Sequence, residues 1–509
     1  MFIYKESAKK RRYLLFNGFK NIYNKIKNLN KSIDDYKDES VVQSLPTVAY
    51  VNRAKKYIEQ KKYQEAKKVL QSALDISQQD YLVYKYLGRI YENEQNFKNA
   101  IENYERVILL NPNDKDIYLR YGMVSLYSDK LDQALESFEK ANKLTPNNTD
   151  VYTGWGMAYM KKKKYALARD KFVLAAQINK YNFTAILLSA VMETRIGEYA
   201  SAQDKLRFLI KVAPNESSNY EYSKLMLLQE HYDEAIEYAN KSIAINNKML
   251  PAYCILGEVY SIKNNSENTH EVFQTALDNG LESSLLYFEW GKACIRLFDF
   301  ALAEEKFNKA LEQENDNLDA KIGLALVCAY KNDFNLLNEL KERNQNNVYI
   351  QEATGLFYMH EQRYADAVDM FKKAVKTDKN QTYNYYNMAK SYIALNDKTK
   401  VKEYFDKFIE INPLYLKGLV DYSRWLIEIS DYEEAQRKLR RAEKLSPSDL
   451  CVLNLLFFVS YTLVKNNVCE YNIKEAISIA NRAIDLGHFE YTPQKQELED
   501  LLKNLPESI

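Results

Sequence analysis

Tyr84-Lys85-Tyr86-Leu87-Gly88-Arg89-Ile90-Tyr91 is echoed 34 residues on by Tyr118-Leu119-Arg120-Tyr121-Gly122-Met123-Val124-Ser125, and after another 34 by Tyr152-Thr153-Gly154-Trp155-Gly156-Met157-Ala158-Tyr159. Gly257 and Gly291 repeat the step later, and Gly355 holds the same place in a further copy. A second cluster trails each first one: Ala100, Tyr104, Val107 and Pro112, then Ala134, Phe138, Ala141 and Pro146, then Ala168, Phe172 and Ala175. Later copies keep Ala303, Ala367 and Ala435, and copies end on Pro214, Pro413 and Pro447. Residues that recur together at one period are a repeat, and the repeat sets the architecture.

The spacing inside each copy has a physical meaning. Tyr84, Leu87, Gly88 and Tyr91 step by three or four and share one stripe of a helix; Ala100, Tyr104 and Val107 do the same on a second helix. Glu92 to Asn96 lies between the stripes as a turn, so each copy reads as a helical hairpin. Small residues, Gly on the first helix and Ala on the second, let the two approach closely, while Tyr, Trp and Phe fill the space between hairpins. Proline ends the second helix because it cannot donate to the ladder and biases the preceding residue away from helical backbone.

This pattern of aromatic, Leu-Gly, Tyr, Ala, Phe, Ala and Pro at set places in a 34-residue unit resembles that of tetratricopeptide-repeat proteins. The expected fold is therefore an all-α, right-handed superhelical solenoid of about 13 antiparallel helix-turn-helix repeats. The register predicts units beginning near Thr47, Tyr81, Lys115, Thr149, Phe183, Glu216, Leu250, Ser284, Leu318, Val348, Thr382, Leu416 and Leu450. The unit from Leu318 departs most, because residues 334–347 lack the Ala and Phe positions and the next unit follows after 30 residues. This predicts an organisation of residues 1–46 as a basic amphipathic segment, 47–317 as a first array, 318–347 as a degenerate unit or hinge, 348–491 as a second array and 492–509 as a capping helix and tail. An insertion is expected around Lys465 to Glu470, and Thr492-Pro493 reads as an N-cap followed by proline at the first helical position.

Composition agrees with that reading. With 46% hydrophobic residues and 28% charged, the chain is globular, and only 13 Gly and 9 Pro argue against several turn-rich domains. Lys+Arg 71 against Asp+Glu 70 leaves a net charge of +1, so no global field points to nucleic acid. The five cysteines, 254, 294, 328, 451 and 469, form no CxxC pair, and His231, His270, His360 and His488 stand alone. Such scattered thiols suit a reducing, cytoplasmic setting, and neither disulfides nor a metal site is expected. The apolar cluster Tyr13 to Phe16 is too short for a secretory signal. Leu450 to Val464, broken by Asn454, Ser460 and Thr462, falls short of a membrane span and reads as a buried helix of a soluble protein.

Residues 1–31 carry nine Lys or Arg and one Glu, and Leu15, Phe19, Ile22, Ile26, Leu29 and Ile33 form an apolar stripe. The segment fits a helix that caps the first hairpin, a helix lying on an anionic membrane or on nucleic acid, or a short dimerising coiled coil.

No GxxxxGK[ST], GxGxxG or GxSxG motif occurs, and carboxylates such as Asp233-Glu234 and Glu433-Glu434 stand where acids complement a helix dipole. No enzymatic activity, cofactor or small-molecule substrate is expected. The resemblance implies binding of partner proteins or peptides along a concave surface lined by the first helices. On this chain that surface would include Leu119, Met123, Leu126, Met157, Met160, Leu187, Val191, Cys254 and Phe288. Val51 and Lys55 occupy the first places of the family's two-carboxylate clamp, and Asn52, Tyr86, Arg120, Gly154 and Leu188 those of its asparagine ladder, so neither variant is reproduced. The expected role is a protein-binding scaffold or adaptor. The alternative is a regulatory or targeting subunit of an enzyme assembly, held at a membrane surface through the basic N-terminus.

Overall fold

The computed structural model describes residues 47–466 and 470–504, and the basic stripe expected in residues 1–46 lies outside them. The chain packs as two compact units, one up to Val259 and one from Tyr260 onward. In the first, the leading helices of successive repeats are Val48–Glu59, Tyr81–Asn93, Ile117–Tyr127, Thr149–Lys161, Phe183–Ile196 and Glu216–Leu228. Their antiparallel partners are Tyr63–Ile76, Phe97–Leu110, Leu131–Leu144, Tyr165–Ile178, Tyr199–Val212 and Tyr232–Ile245. Helix Leu250–Ile262 contains the division, and Ser266–Asp278 follows it. The second unit then pairs Ser284–Arg296 with Phe300–Gln313, Val348–His360 with Tyr364–Thr377, Tyr383–Ala394 with Lys398–Ile411, Leu416–Glu428 with Tyr432–Leu445 and Leu450–Asn466 with Glu470–Asp485. The fold is an all-α repeat solenoid, and every leading helix begins within two residues of the start that the sequence register predicts.

One contact explains why the glycines recur. A Cβ on Gly122 would lie 2.8 Å from the Phe138 ring, and on Gly156 2.6 Å from Phe172; Gly291 meets Phe307 and Gly355 meets Phe371 in the same way. The aromatic ring of the second helix thus presses closely against the first, which only glycine permits at that spacing. Gly154 and Gly323, from the following repeats, close on Phe138 and Phe307 from the other side. Ala100, Ala134, Ala168, Ala303, Ala367 and Ala435 are all fully buried. Pro112, Pro146, Pro214, Pro413 and Pro447 each stand two residues beyond a helix end.

Two devices were not visible in the repeat pattern. The turn between paired helices passes through left-handed backbone at Lys61 (φ 57°), Gln95 (61°), Asp129 (60°), Lys163 (60°) and Gly197 (87°), and again at Phe298 (63°) and Asn332 (60°). Glycine is therefore scarce even where it would relieve strain. The second is a hydroxyl clip between repeats: Asn182 Nδ2 donates to Thr149 Oγ1 at 2.7 Å and Asn317 Nδ2 to Ser284 Oγ at 2.8 Å, each 33 residues along. The same asparagines cap the next helix through Ala185 N at 3.0 Å and Ala320 N at 3.1 Å.

The degenerate repeat keeps its leading helix, Leu318–Tyr330, but its second half shrinks to Asn335–Leu340 and a 3-10 turn, Lys341–Arg343. Residues 318–347 lie inside the second unit, which begins at Tyr260. The leading helix still packs on both neighbours in its unit, Ser284–Arg296 and Val348–His360, so losing half a hairpin shortens the repeat without severing the stack. At the C-terminus, helix Thr492–Lys503 starts on Thr492 itself and is entered from the 3-10 turn Phe489–Tyr491. Thr492 is thus not an N-cap, because Tyr491 already has helical backbone and Pro493 follows inside the first turn.

Candidate protein-binding surface

The nine residues expected to line one groove divide by burial. Leu126, Met157, Met160 and Val191 are 2%, 3%, 8% and 7% exposed and belong to the core of the N-terminal unit. Leu119, Met123 and Leu187 are half-buried above them, on helices Ile117–Tyr127 and Phe183–Ile196. The expectation of an open ribbon is corrected to a narrower one: three aliphatic tips over a packed floor. The reason lies in the spacing of the leading helices, since Met123 reaches across to Gly154, whose missing Cβ would lie 3.0 Å from its Sδ. Cys254 is half-buried on helix Leu250–Ile262, and Phe288 belongs to the other unit, where it packs 6.1 Å from Phe307 beneath Lys292.

The leading helices of this unit also carry charged side chains. Lys55 and Arg89 lie over the Tyr86 ring at 5.2 and 5.4 Å. Glu92 accepts from the Tyr104 hydroxyl at 2.6 Å and lies 3.5 Å from Arg120, so burial and the neighbouring carboxylate hold that phenol well above its ordinary value. Lys161 donates to the Leu126 carbonyl at 2.7 Å and ties the end of one leading helix to the previous one.

In the second unit the equivalent places carry different chemistry. By the repeat register Glu352 and Tyr386 stand where Leu119 and Leu187 stand, and they are 1% and 2% exposed. Around them Phe298, Phe300, Tyr330, Tyr383, Phe408 and Tyr415 form a ring cluster, with Phe298 4.9 Å from Tyr383 and 4.7 Å from Tyr415. Residues from the repeat of Ser284 thereby touch those from the repeat of Tyr383, three repeats further on. Periodicity could not reveal this, although a Tyr-rich run at Tyr383, Tyr385 and Tyr386 was a signal in plain view.

Among the described residues no group of three or more His, Cys, Asp or Glu is placed to hold a metal, and no helix is long and apolar enough to cross a membrane. Cys294, Cys328 and Cys451 are free thiols, and burial pushes that of Cys294 up to about 12.

Stacked helical hairpins whose small residues receive a partner helix's aromatic ring define a helical-repeat protein of the hairpin class. Models of the tetratricopeptide repeat match residues 57–120 and, separately, residues 116–148 and 383–413. The chain is a tetratricopeptide-repeat protein. Its fold is similar to that of the APC/C hetero-tetramer Cut9-Hcn1 crystal structure, with 12% identity, a TM-score of 0.54 and coverage of 91% of this chain and 97% of that one. Also similar are a tetratricopeptide-repeat protein of Parabacteroides merdae (16% identity, TM-score 0.42, 48% and 98% covered) and Pseudomonas aeruginosa pilF (20%, 0.36, 40% and 94%).

Proposed function

We propose that this chain is a non-catalytic protein-interaction scaffold of the cytoplasm that binds a partner protein or peptide along the leading helices of its N-terminal unit. The observation that carries the reading is the row of aliphatic tips, Leu119, Met123 and Leu187, left half-buried on a repeat family's inner helices. A buried floor of Leu126, Met157, Met160 and Val191 holds those tips rigidly, so binding costs little ordering entropy. The free thiols support a reducing compartment, and a net charge of +1 gives nucleic acid nothing to seek.

The test is replacement of Leu119, Met123 and Leu187 together by Glu, followed by co-purification and circular dichroism. Partner proteins are expected to be lost with helicity unchanged. Retention of the same partners would move the interface off these helices. Met157 is left out of the variant because a carboxylate at a site 3% exposed would unfold the repeat.

A further inference from the structure

Glu352 lies on helix Val348–His360, 1% exposed, and its carboxylate has neutral partners. The Tyr330 hydroxyl donates to Oε1, and Asn384 Nδ2 donates to Oε2 at 2.9 Å. Tyr330 is in turn a member of the ring cluster, 4.2 Å from Phe300 and 5.5 Å from Tyr383, and its oxygen accepts from Asn387 Nδ2 at 3.0 Å. Tyr383 carries the contact onward to Phe298, which Phe408 and Tyr415 also grip, at 5.9 and 4.7 Å. A carboxyl with no cationic partner among the described residues is therefore bonded to the ring cluster that holds together repeats three steps apart.

We propose that Glu352 is the switch of this aromatic clasp: with its proton the clasp stays shut, and ionisation draws water to Tyr330 and opens it. The proposal is independent of whether the N-terminal ribbon binds a partner. The physical argument is desolvation. An ionised carboxylate among rings loses its hydration, and two neutral hydrogen bonds return only part of that cost. Opening restores the hydration, so the charged form favours the open state. The titratable and charged groups around it are Tyr330, Tyr383 and Asp378 from neighbouring elements and Tyr349 from its own helix, with Arg296 and Glu289 acting on Tyr349. Burial holds all three phenols well above their ordinary value, so they stay neutral through the neutral range, and Asp378 adds a like charge against ionisation.

Burial raises the Glu352 carboxyl from 4.5 to about 7. Because the closed form holds its proton more tightly, its stabilisation is complete below pH 4.5 and is lost as pH rises through about 7. A carboxyl titrating at 4.5 when open and about 7 when closed makes the opening constant rise about tenfold between pH 6 and pH 8.

Amide hydrogen exchange on the full chain reads this directly. Protection factors, corrected for intrinsic exchange, are expected to fall about tenfold from pH 6 to pH 8 in helices Leu318–Tyr330 and Tyr383–Ala394. Glu352→Gln, neutral throughout, should keep pH 6 protection at pH 8. Equal wild-type protection at both pH values overturns the proposal, as does a Glu352→Gln chain with the wild-type pH dependence. Should Glu352→Gln fail to fold by circular dichroism, Phe298→Ala replaces it. With the clasp removed directly, protection should be low at both pH values, and a preserved tenfold difference would sink the idea.

Discussion

Gly156 and Gly197 are both glycines in the N-terminal unit, yet they are there for opposite reasons. A methyl group at Gly156 would stand 2.6 Å from Phe172, a ring with no room to retreat because it is fully buried. Gly156→Ala is expected to lower stability by about 1 to 3 kcal/mol through overpacking. At Gly197 nothing lies within 4 Å of the added carbon, but φ is +87°, so Gly197→Ala should cost about 1 kcal/mol through backbone strain alone. Thermal unfolding of the two variants measures both. A further distinction follows: repacking by Phe172→Leu should rescue Gly156→Ala, and no neighbouring substitution should rescue Gly197→Ala.

Among the elements, the turn between paired helices is where the chain departs furthest from what isolated propensity would choose. Gln95 is exposed and sits at φ 61°, with its N–H bonded to the Glu92 carbonyl at 3.1 Å. Replacing it by glycine keeps that backbone bond and removes the strain of a left-handed L-residue, while the unfolded chain gains some freedom. Gln95→Gly should therefore raise stability by about 0.5 kcal/mol, read as an increase in the denaturant midpoint with an unchanged slope. Repeats tolerate the strained turn because the buried Gly and aromatic contacts on either side of it hold the hairpin closed.

For the molecule as a whole, each repeat buries its faces against neighbours, and an array needs something at its end. Helix Thr492–Lys503 and the Tyr491 before it serve there: Leu498 is 1% exposed, the Tyr461 hydroxyl bonds Glu497, and Tyr491 meets the Phe457 ring edge-on at 4.8 Å. Removing residues 491–509 should expose Phe457 and speed amide exchange in helix Leu450–Asn466, while helix Val348–His360 exchanges as before. Equal exchange in Leu450–Asn466 with and without the segment would mean that the last hairpin is stable uncapped.

The helices, their pairing and their starts were legible in the sequence, because a hairpin is specified by residues three, four and 34 apart that meet within one repeat or its neighbour. Gly122 against Phe138 and Ala134 in the core follow from that local rule. The candidate surface was legible only in part. Leu119, Met123 and Leu187 keep some exposure, but their partners Met157 and Val191 are covered by depths of packing that a register cannot convey. Phe298 meeting Tyr415, Glu352 buried between Tyr330 and Asn384, and a division inside helix Leu250–Ile262 were decided by tertiary structure. Such contacts depend on how small rotations between repeats accumulate over several hairpins, and each rotation is set by side-chain volumes at an interface, not by the period that the sequence displays.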